Sequence, residues 1–415
     1  MTLSCFELGE QMLSVSEART ALATLIERPL GSECVALANA HGRRLAEDIT
    51  ATINVPQNTN AAMDGVALAW ENSAQTHWAL AGDAFAGQAF AGNVAAGQCV
   101  RITTGAPLPP GTDTVIMREQ LVEHHDSVVI EAPERVKRGQ NVRQAGEDIT
   151  IGDVALPAGT RLDAAALGLA ASLGWARVPV YQRPRVAIFS TGNEVTAPGD
   201  PLPGDGIYDA NRFTLTGLLI EQGAEVIDLG ILPDDFTALT ETLADAAAKS
   251  DLVISSGGVS VGHADFTRDA LEHLGRLAFW RVALRPGRPM ACGWLGAART
   301  PFVGLPGNPV AVMVTYLQFV VPLLQRLHGR PVTPPRRLQA VADDTLKSRF
   351  QRTDFLRGVY HNDKDGRLHV RSTGAQGSGI LTSMVAANCL IELADDQDGA
   401  QPGEVVSIQP LTDWL

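Results

Sequence analysis

The sequence predicts a multidomain chain of α/β and β class: a doubly wound α/β domain, a compact β region before it and a small β domain after it. Three observations carry this. From residue 184 to about 327, short apolar runs alternate with helical patterns, as strands covered by helices do. Between 49 and 146, glycine, proline and alanine are frequent and apolar runs are short, which fits strands joined by many turns. After the linker Pro331-Val332-Thr333-Pro334-Pro335, the chain alternates in short runs with no helical stripe.

Composition narrows the function. At 415 residues, roughly two to four domains are expected, and a 45% hydrophobic content supplies their cores. A net charge of −13 argues against a general nucleic-acid or membrane-surface binder, though not against an anion held in a local basic pocket. The five cysteines (Cys5, Cys34, Cys99, Cys292, Cys389) are scattered and form no C-x-x-C pair. Neither a zinc site nor a disulfide framework is indicated, and a reducing compartment is expected. No basic-then-apolar leader and no apolar run of membrane-spanning length is visible, so a cytoplasmic location is expected.

In chain order, residues 14–30 read as an amphipathic helix, with Ser14 and Glu17 at capping-box spacing and Pro29 and Gly31 ending it. In the turn-rich region, Asp64 stands beside Gly65 on one loop, and Thr103-Thr104-Gly105 forms another after a strand. Asp64 also suits a turn that satisfies its own backbone. Asp163 caps an alanine-rich helix over 164–173, and this helix is expected to pack against the N-terminal one, making the β region an insertion. Strands follow at 185–189, 225–229, 252–254 and 301–305, with helices capped by Asp209 and Asp235 and a long apolar helix to about 327.

Three loops follow strands at their carboxyl ends: Thr191-Gly192, Ser256-Gly257-Gly258 and Pro306-Gly307-Asn308-Pro309. In a doubly wound fold these converge on one sheet edge, where ligands bind and backbone N–H groups favour anions. Glu194, Asp234, Asp235 and Asp265 surround them; Asp235 reads as a helix cap, while carboxylates beside anion loops are how a protein holds Mg²⁺. Ser260 lies in the same glycine loop, and His263 reads as a solvated loop residue. Arg285 and Arg288 flank Pro286-Gly287, a turn that would hold two guanidinium forks apart. No Walker A, H-E-x-x-H or G-x-S-x-G pattern is present.

SSGGVSVG at 255–262 followed by Asp265, LPGNPV at 305–310, STGNE at 190–194, AAMDG at 61–65, TTGAP at 103–107 and GEDI at 146–149 occur in one order. Through these motifs the chain resembles molybdopterin molybdenumtransferases (MoeA and the E domain of gephyrin-like proteins) over nearly its whole length. The resemblance implies a split helical domain (1–50 with 147–182), an inserted β domain (51–146), a molybdopterin-binding α/β domain (183–330) and a C-terminal β barrel (331–415). It implies a homodimer, the β insertion of one subunit facing the α/β domain of the other.

The implied activity is the last step of molybdenum cofactor synthesis: molybdate enters adenylylated molybdopterin and the adenylyl bond is hydrolysed with Mg²⁺, releasing AMP. Asp64, Thr104, Asp148, Glu194, Asp234 and Asp265 match family active-site positions, and Arg357 and Ser378 match positions that hold molybdate. The roles expected are Asp234 and Asp265 for Mg²⁺, Gly257, Gly258 and Ser260 for the pterin phosphate, and Arg285, Arg288, Arg357 and Ser378 for the oxyanion. Transient contacts with the adenylyltransferase and apo molybdoenzymes are also implied. Arginine stands at 281, 285 and 288 where the family usually has lysine. Two other readings stay open at this level: a nucleotide hydrolase sharing the α/β domain, and a scaffold that binds molybdopterin or a peptide without turnover.

Overall fold

The strand Leu252–Ser256 is buried along its whole length, as an apolar run between two parallel neighbours must be. Its side chains alternate between two cores: Leu252 and Ile254 face one, Val253 the other. The same alternation splits Val186 and Ile188 from Ala187 and Phe189, so helices have to cover both faces of the sheet. The computed structural model describes residues 12–71, 75–257 and 266–414. They form two units: the described residues up to Glu33 with Tyr181–Leu415, and Cys34–Val180.

In the first unit the seven-stranded sheet has the order Met12–Leu13, Gly275–Val282, Pro289–Leu295, Thr300–Leu305, Leu252–Ser256, Arg185–Thr191, Glu225–Leu232. The last four of these run parallel. Gly275–Val282 and Pro289–Leu295 form an antiparallel hairpin that joins the sheet beside Thr300–Leu305. The strand–helix alternation does not announce this hairpin, because antiparallel neighbours need no helical crossover.

Asp235 caps Phe236–Lys249 by accepting the Ala238 N–H at 2.8 Å. The helical stretch Pro309–Leu327 contains a π turn at Tyr316–Val320. By length and apolar composition it is the one membrane-span candidate among the described residues, and 83% of it is buried inside the unit. It is read here as a core helix.

The N-terminal capping box forms: the Glu17 N–H donates to Ser14 Oγ at 3.2 Å and the Ser14 N–H to Glu17 Oε2 at 2.8 Å. The helix, however, is Val15–Ala23 rather than 14–30. The Thr24 hydroxyl turns back onto the Ala21 carbonyl at 2.6 Å, and Leu25 and Ile26 stay buried beyond the helix end. This helix packs on the long apolar helix, with Ala18, Ala21 and Leu22 sharing a core with Phe319, Val320 and Leu324.

The alanine-rich helix Ala164–Ser172, capped by Asp163, lies in a separate core with Leu45, Ile49, Leu162 and Val178. The expected packing of these two helices on each other is therefore corrected. It is the long Pro309–Leu327 helix, apolar on every side, that needs cover over its whole circumference, and the N-terminal stripe supplies part of it.

The second unit also holds a six-stranded sheet in the order Thr114–Met117, Gly65–Leu68, Gln98–Ile102, His77–Ala84, Ser127–Ile130, Leu121–Glu123. In the first unit, Thr353–Asn362, Leu368–Ser372, Leu338–Ala342, Val405–Pro410 and Cys389–Leu393 pair in a ring, because Thr353–Asn362 bonds to both its first and its last neighbour. That closed ring is the expected C-terminal barrel. Leu284–Arg285 adds to its edge, parallel to Thr353–Asn362.

Candidate functional site

Register brings the loops together. Ser190 pairs with Ser256, Ser256 with Leu305, and Thr191 with Leu232. The segments that follow these strands therefore leave the sheet at one edge. Pro289–Leu295 runs against Thr300–Leu305, so the start of that strand, and the turn at 285–288 before it, reaches the same edge. Gly257 stands against the Thr191 carbonyl and faces Gly307.

Here the structure forms a cleft of about 720 Å³ lined by Gly257, Arg285, Pro286, Gly287, Arg288, Pro306, Gly307, Asn308, Gln376 and Ser378 among others. Pro309 opens the helix behind it, with Asn308 at the cap position and no side-chain cap bond. The Ser378 carbonyl, from the barrel side, accepts the Val310 N–H at 3.0 Å. Pro309 has no N–H and the Val310 N–H is taken by Ser378, so it is chiefly the helix dipole that makes this end attractive to anions.

Gly287 is a position that admits no side chain. Its φ is +111° and a Cβ would sit 2.5 Å from the Thr315 methyl. The turn directs Arg285 inward, where Nη2 pairs with Asp354 Oδ2 at 2.9 Å, and leaves Arg288 exposed.

Arg357 does not line the cleft. It is 1% exposed, and its guanidinium donates from Nε to Ser383 Oγ at 3.0 Å and from Nη2 to the Gly377 carbonyl at 3.1 Å. It has no carboxylate partner among the described residues, and burial, with Arg285 nearby, lowers its pKa to about 10. Gln376 clamps its backbone on both sides, accepting the Arg357 N–H at 2.8 Å and donating to its carbonyl at 3.0 Å. Arg357 thus stands behind the wall formed by Gln376, Gly377 and Ser378.

Ser256 lies buried just below Gly257, and neither its hydroxyl nor that of Ser190 finds a partner among the described residues. Glu194 and Asp234 follow adjacent parallel strands and are exposed; neither carboxylate has a side-chain partner among the described residues. No cluster of three His, Cys, Asp or Glu side chains suited to a metal occurs among the described residues. Two open carboxylates at an anion-binding edge nevertheless suit Mg²⁺, which takes one or two carboxylates and completes its shell from ligand phosphates and water.

Gly258, Ser260, His263 and Asp265 lie outside the described residues. Asp64, Thr104 and Asp148 belong to the other unit. There the Thr104 N–H and hydroxyl both donate to Asp64 Oδ1 at 2.7 Å and hold its carboxyl below the usual range. Gly65 is needed beside it, since a Cβ would run into the Ile116 carbonyl. Asp148 is exposed, its N–H donating to the Val55 carbonyl at 2.9 Å.

Three residues that bear on the cleft have no role assigned from the sequence: Asp354 and Gln376, which stand in the same stretches as Arg357 and Ser378, and Asn211. Asn211 Nδ2 donates to the Gly307 carbonyl at 2.7 Å, fixing the 306–309 turn, while its buried Oδ1 has no partner among the described residues.

Comparison with known proteins agrees with this fold. Residues 13–174 match the family model "MoeA N-terminal region (domain I and II)", 187–326 match "Probable molybdopterin binding domain", and 339–411 match "MoeA C-terminal region (domain IV)". A molybdopterin molybdenumtransferase of Haemophilus influenzae is 42% identical over 406 residues, 97% of this chain and all of that protein. One from Nostoc sp. is 36% identical, covering 87% of this chain and 85% of the relative. The crystal structure of a molybdopterin biosynthesis MoeA protein from Pyrococcus horikoshii OT3 superposes with a TM-score of 0.83 at 29% identity, covering 96% of this chain and all of that one. The fold and cleft define the class, a multidomain α/β enzyme of molybdenum cofactor biosynthesis. Within it, the chain belongs to the MoeA family of molybdopterin molybdenumtransferases.

Proposed function

We propose that the cleft binds adenylylated molybdopterin together with molybdate, and that the enzyme couples molybdate insertion at the dithiolene to release of AMP. The observation that carries this reading is a cleft at the carboxyl edge of the sheet, with Arg285 and Arg288 on its wall and the Pro309 helix terminus at its end. Gly257 and Gly307 let backbone approach the pterin phosphate closely. Arg285, Arg288 and Ser378 bind and orient the oxyanion, with Arg357 supporting them from behind.

In the hydrolytic half, water adds at phosphorus, the bond to the molybdopterin phosphate breaks and AMP leaves. Mg²⁺, when bound, neutralises phosphate charge. Asp234 is assigned to hold it, together with Asp265, and Glu194 to orient the water. Asp64, Thr104 and Asp148 are assigned to the site of a partner subunit in a cytoplasmic homodimer, an assignment that rests on the family resemblance.

The deciding experiment measures AMP release from adenylylated molybdopterin with Mg²⁺, with and without molybdate. Molybdate-dependent release, with the product reconstituting an apo molybdoenzyme, is the expected result. Tight binding with no release would overturn it in favour of a scaffold. Partial activity on mixing Asp64→Asn and Arg285→Ala chains, each inactive alone, is expected if sites are shared between subunits.

A further inference from the structure

Asp354 is 0% exposed. One of its oxygens, Oδ2, meets Arg285 Nη2 at 2.9 Å and the Ser348 hydroxyl at 3.1 Å; the other, Oδ1, is buried with no partner among the described residues. A carboxylate removed from water with one oxygen bare is an expensive arrangement, and a single ion pair seldom repays it. Burial accordingly raises its pKa; Arg285 opposes the rise most, followed by the Ser348 bond and the charges of Arg349 and Arg352. Stability alone is a poor account of this acid, so its position needs another one.

The register supplies it. Arg285 and Asp354 are direct partners where Leu284–Arg285 joins the barrel edge. Arg285 is 35% exposed at the cleft wall, and Arg357 follows three places along the Asp354 strand with no carboxylate of its own among the described residues. Two guanidinium groups close enough for Arg285 to depress Arg357 would push each other apart. Asp354 offsets one of these charges and fixes the direction in which Arg285 points.

Resting on the function proposed above, we infer that Asp354 is a positioning residue of the oxyanion end: it anchors Arg285 to the barrel so that the guanidinium meets molybdate in one orientation. It touches neither substrate and acts through Arg285.

The test compares wild type, Asp354→Asn, Arg285→Ala and the double variant. It measures molybdate KM and kcat in AMP release, and molybdate binding by calorimetry in parallel. Asp354→Asn is expected to weaken molybdate binding about tenfold or more, to leave affinity for adenylylated molybdopterin little changed, and to add nothing to the loss from Arg285→Ala. A cleft governed only by net charge would bind molybdate more tightly once a negative charge is removed, and that result overturns the inference. Fully additive losses overturn it as well.

If Asp354→Asn does not fold, Ser348→Ala replaces it. This variant keeps the charge but drops one bond to Oδ2, and a smaller rise in molybdate KM in the same direction is expected; an unchanged KM counts against the anchor. If wild type releases no AMP, the function proposal fails on its own. The calorimetric comparison of Asp354→Asn with Arg285→Ala still decides whether the acid positions the arginine.

Discussion

The two sides of the cleft edge are built differently. On the arginine side, Arg357 and Asp354 are out of water, tied to Ser383, Gly377, Ser348 and Arg285. On the acid side, Glu194 and Asp234 stand exposed at strand ends. A buried, bonded group has met its desolvation cost during folding and is already aimed. An exposed acid is ordered only when something binds it. On the function proposed above, the difference means that the fold preorganises the oxyanion end and leaves the carboxylates to be ordered with the ligand.

The comparison breaks most visibly at Arg357. Arg357→Met should lower kcat/KM for molybdate-dependent AMP release by about a hundredfold or more, because the wall behind Ser378 loses its charged support. Stability should change by no more than about 1 kcal/mol, or rise, since a buried cation lacking a carboxylate partner is removed and similar volume kept. Paired kinetics and urea unfolding check both halves. A collapse in stability with normal kinetics would show that the arginine serves the barrel and not the cleft.

Smaller losses are expected on the acid side. Glu194→Gln and Asp234→Asn should each reduce Mg²⁺-supported AMP release by roughly 10- to 100-fold, with the loss at Asp234 eased by high Mg²⁺. Unfolding free energy should stay within about 0.5 kcal/mol of wild type, as for exposed groups without partners. A Mg²⁺ titration of rate beside a melting curve measures this.

Between the two stands the turn that carries Arg285. Gly287→Ala places a Cβ at φ +111° and 2.5 Å from the Thr315 methyl. It should cost about 1–3 kcal/mol in stability and displace Arg285 as well. Retained melting temperature with retained activity would mean the turn relaxes freely and the arginine side is less rigid than drawn.

What could be read in the sequence was local. Short apolar runs ending in Gly257, in Pro306-Gly307-Asn308 and in Thr191-Gly192 identify a carboxyl sheet edge, because strand ends and glycine turns are written in neighbouring residues. Asp235 as a cap and Ser14 with Glu17 as a capping box are legible for the same reason. The arginine side was legible only as separate parts. Arg285 meets Asp354 through a strand pairing between residues far apart in the chain, and no periodicity encodes which strands pair. Arg357 could be matched to a motif, but its burial behind Gln376 and Gly377 depends on closure of the barrel. The partner of the N-terminal helix is hidden for the same reason: its stripe says that it is covered, and not by what.

The smallest expected effect lies in the other unit and extends the comparison to a bonded but exposed acid. Asp64 is open to solvent, yet two bonds from Thr104 favour its ionised form and lower its pKa. A lowered carboxyl pKa contributes stability above the ordinary carboxylate value, and that contribution is lost as pH falls through the lowered one. Thr104→Val removes the hydroxyl bond and keeps the backbone one, so the Asp64 titration followed by carbon NMR should move up toward the ordinary value without reaching it. Near pH 7 both proteins keep Asp64 ionised, so any change in AMP release there reports its orientation and not its charge. If the titration does not move, the backbone N–H alone sets the pKa. The hydroxyl of Thr104 would then be free to serve a ligand while the backbone N–H still holds Asp64.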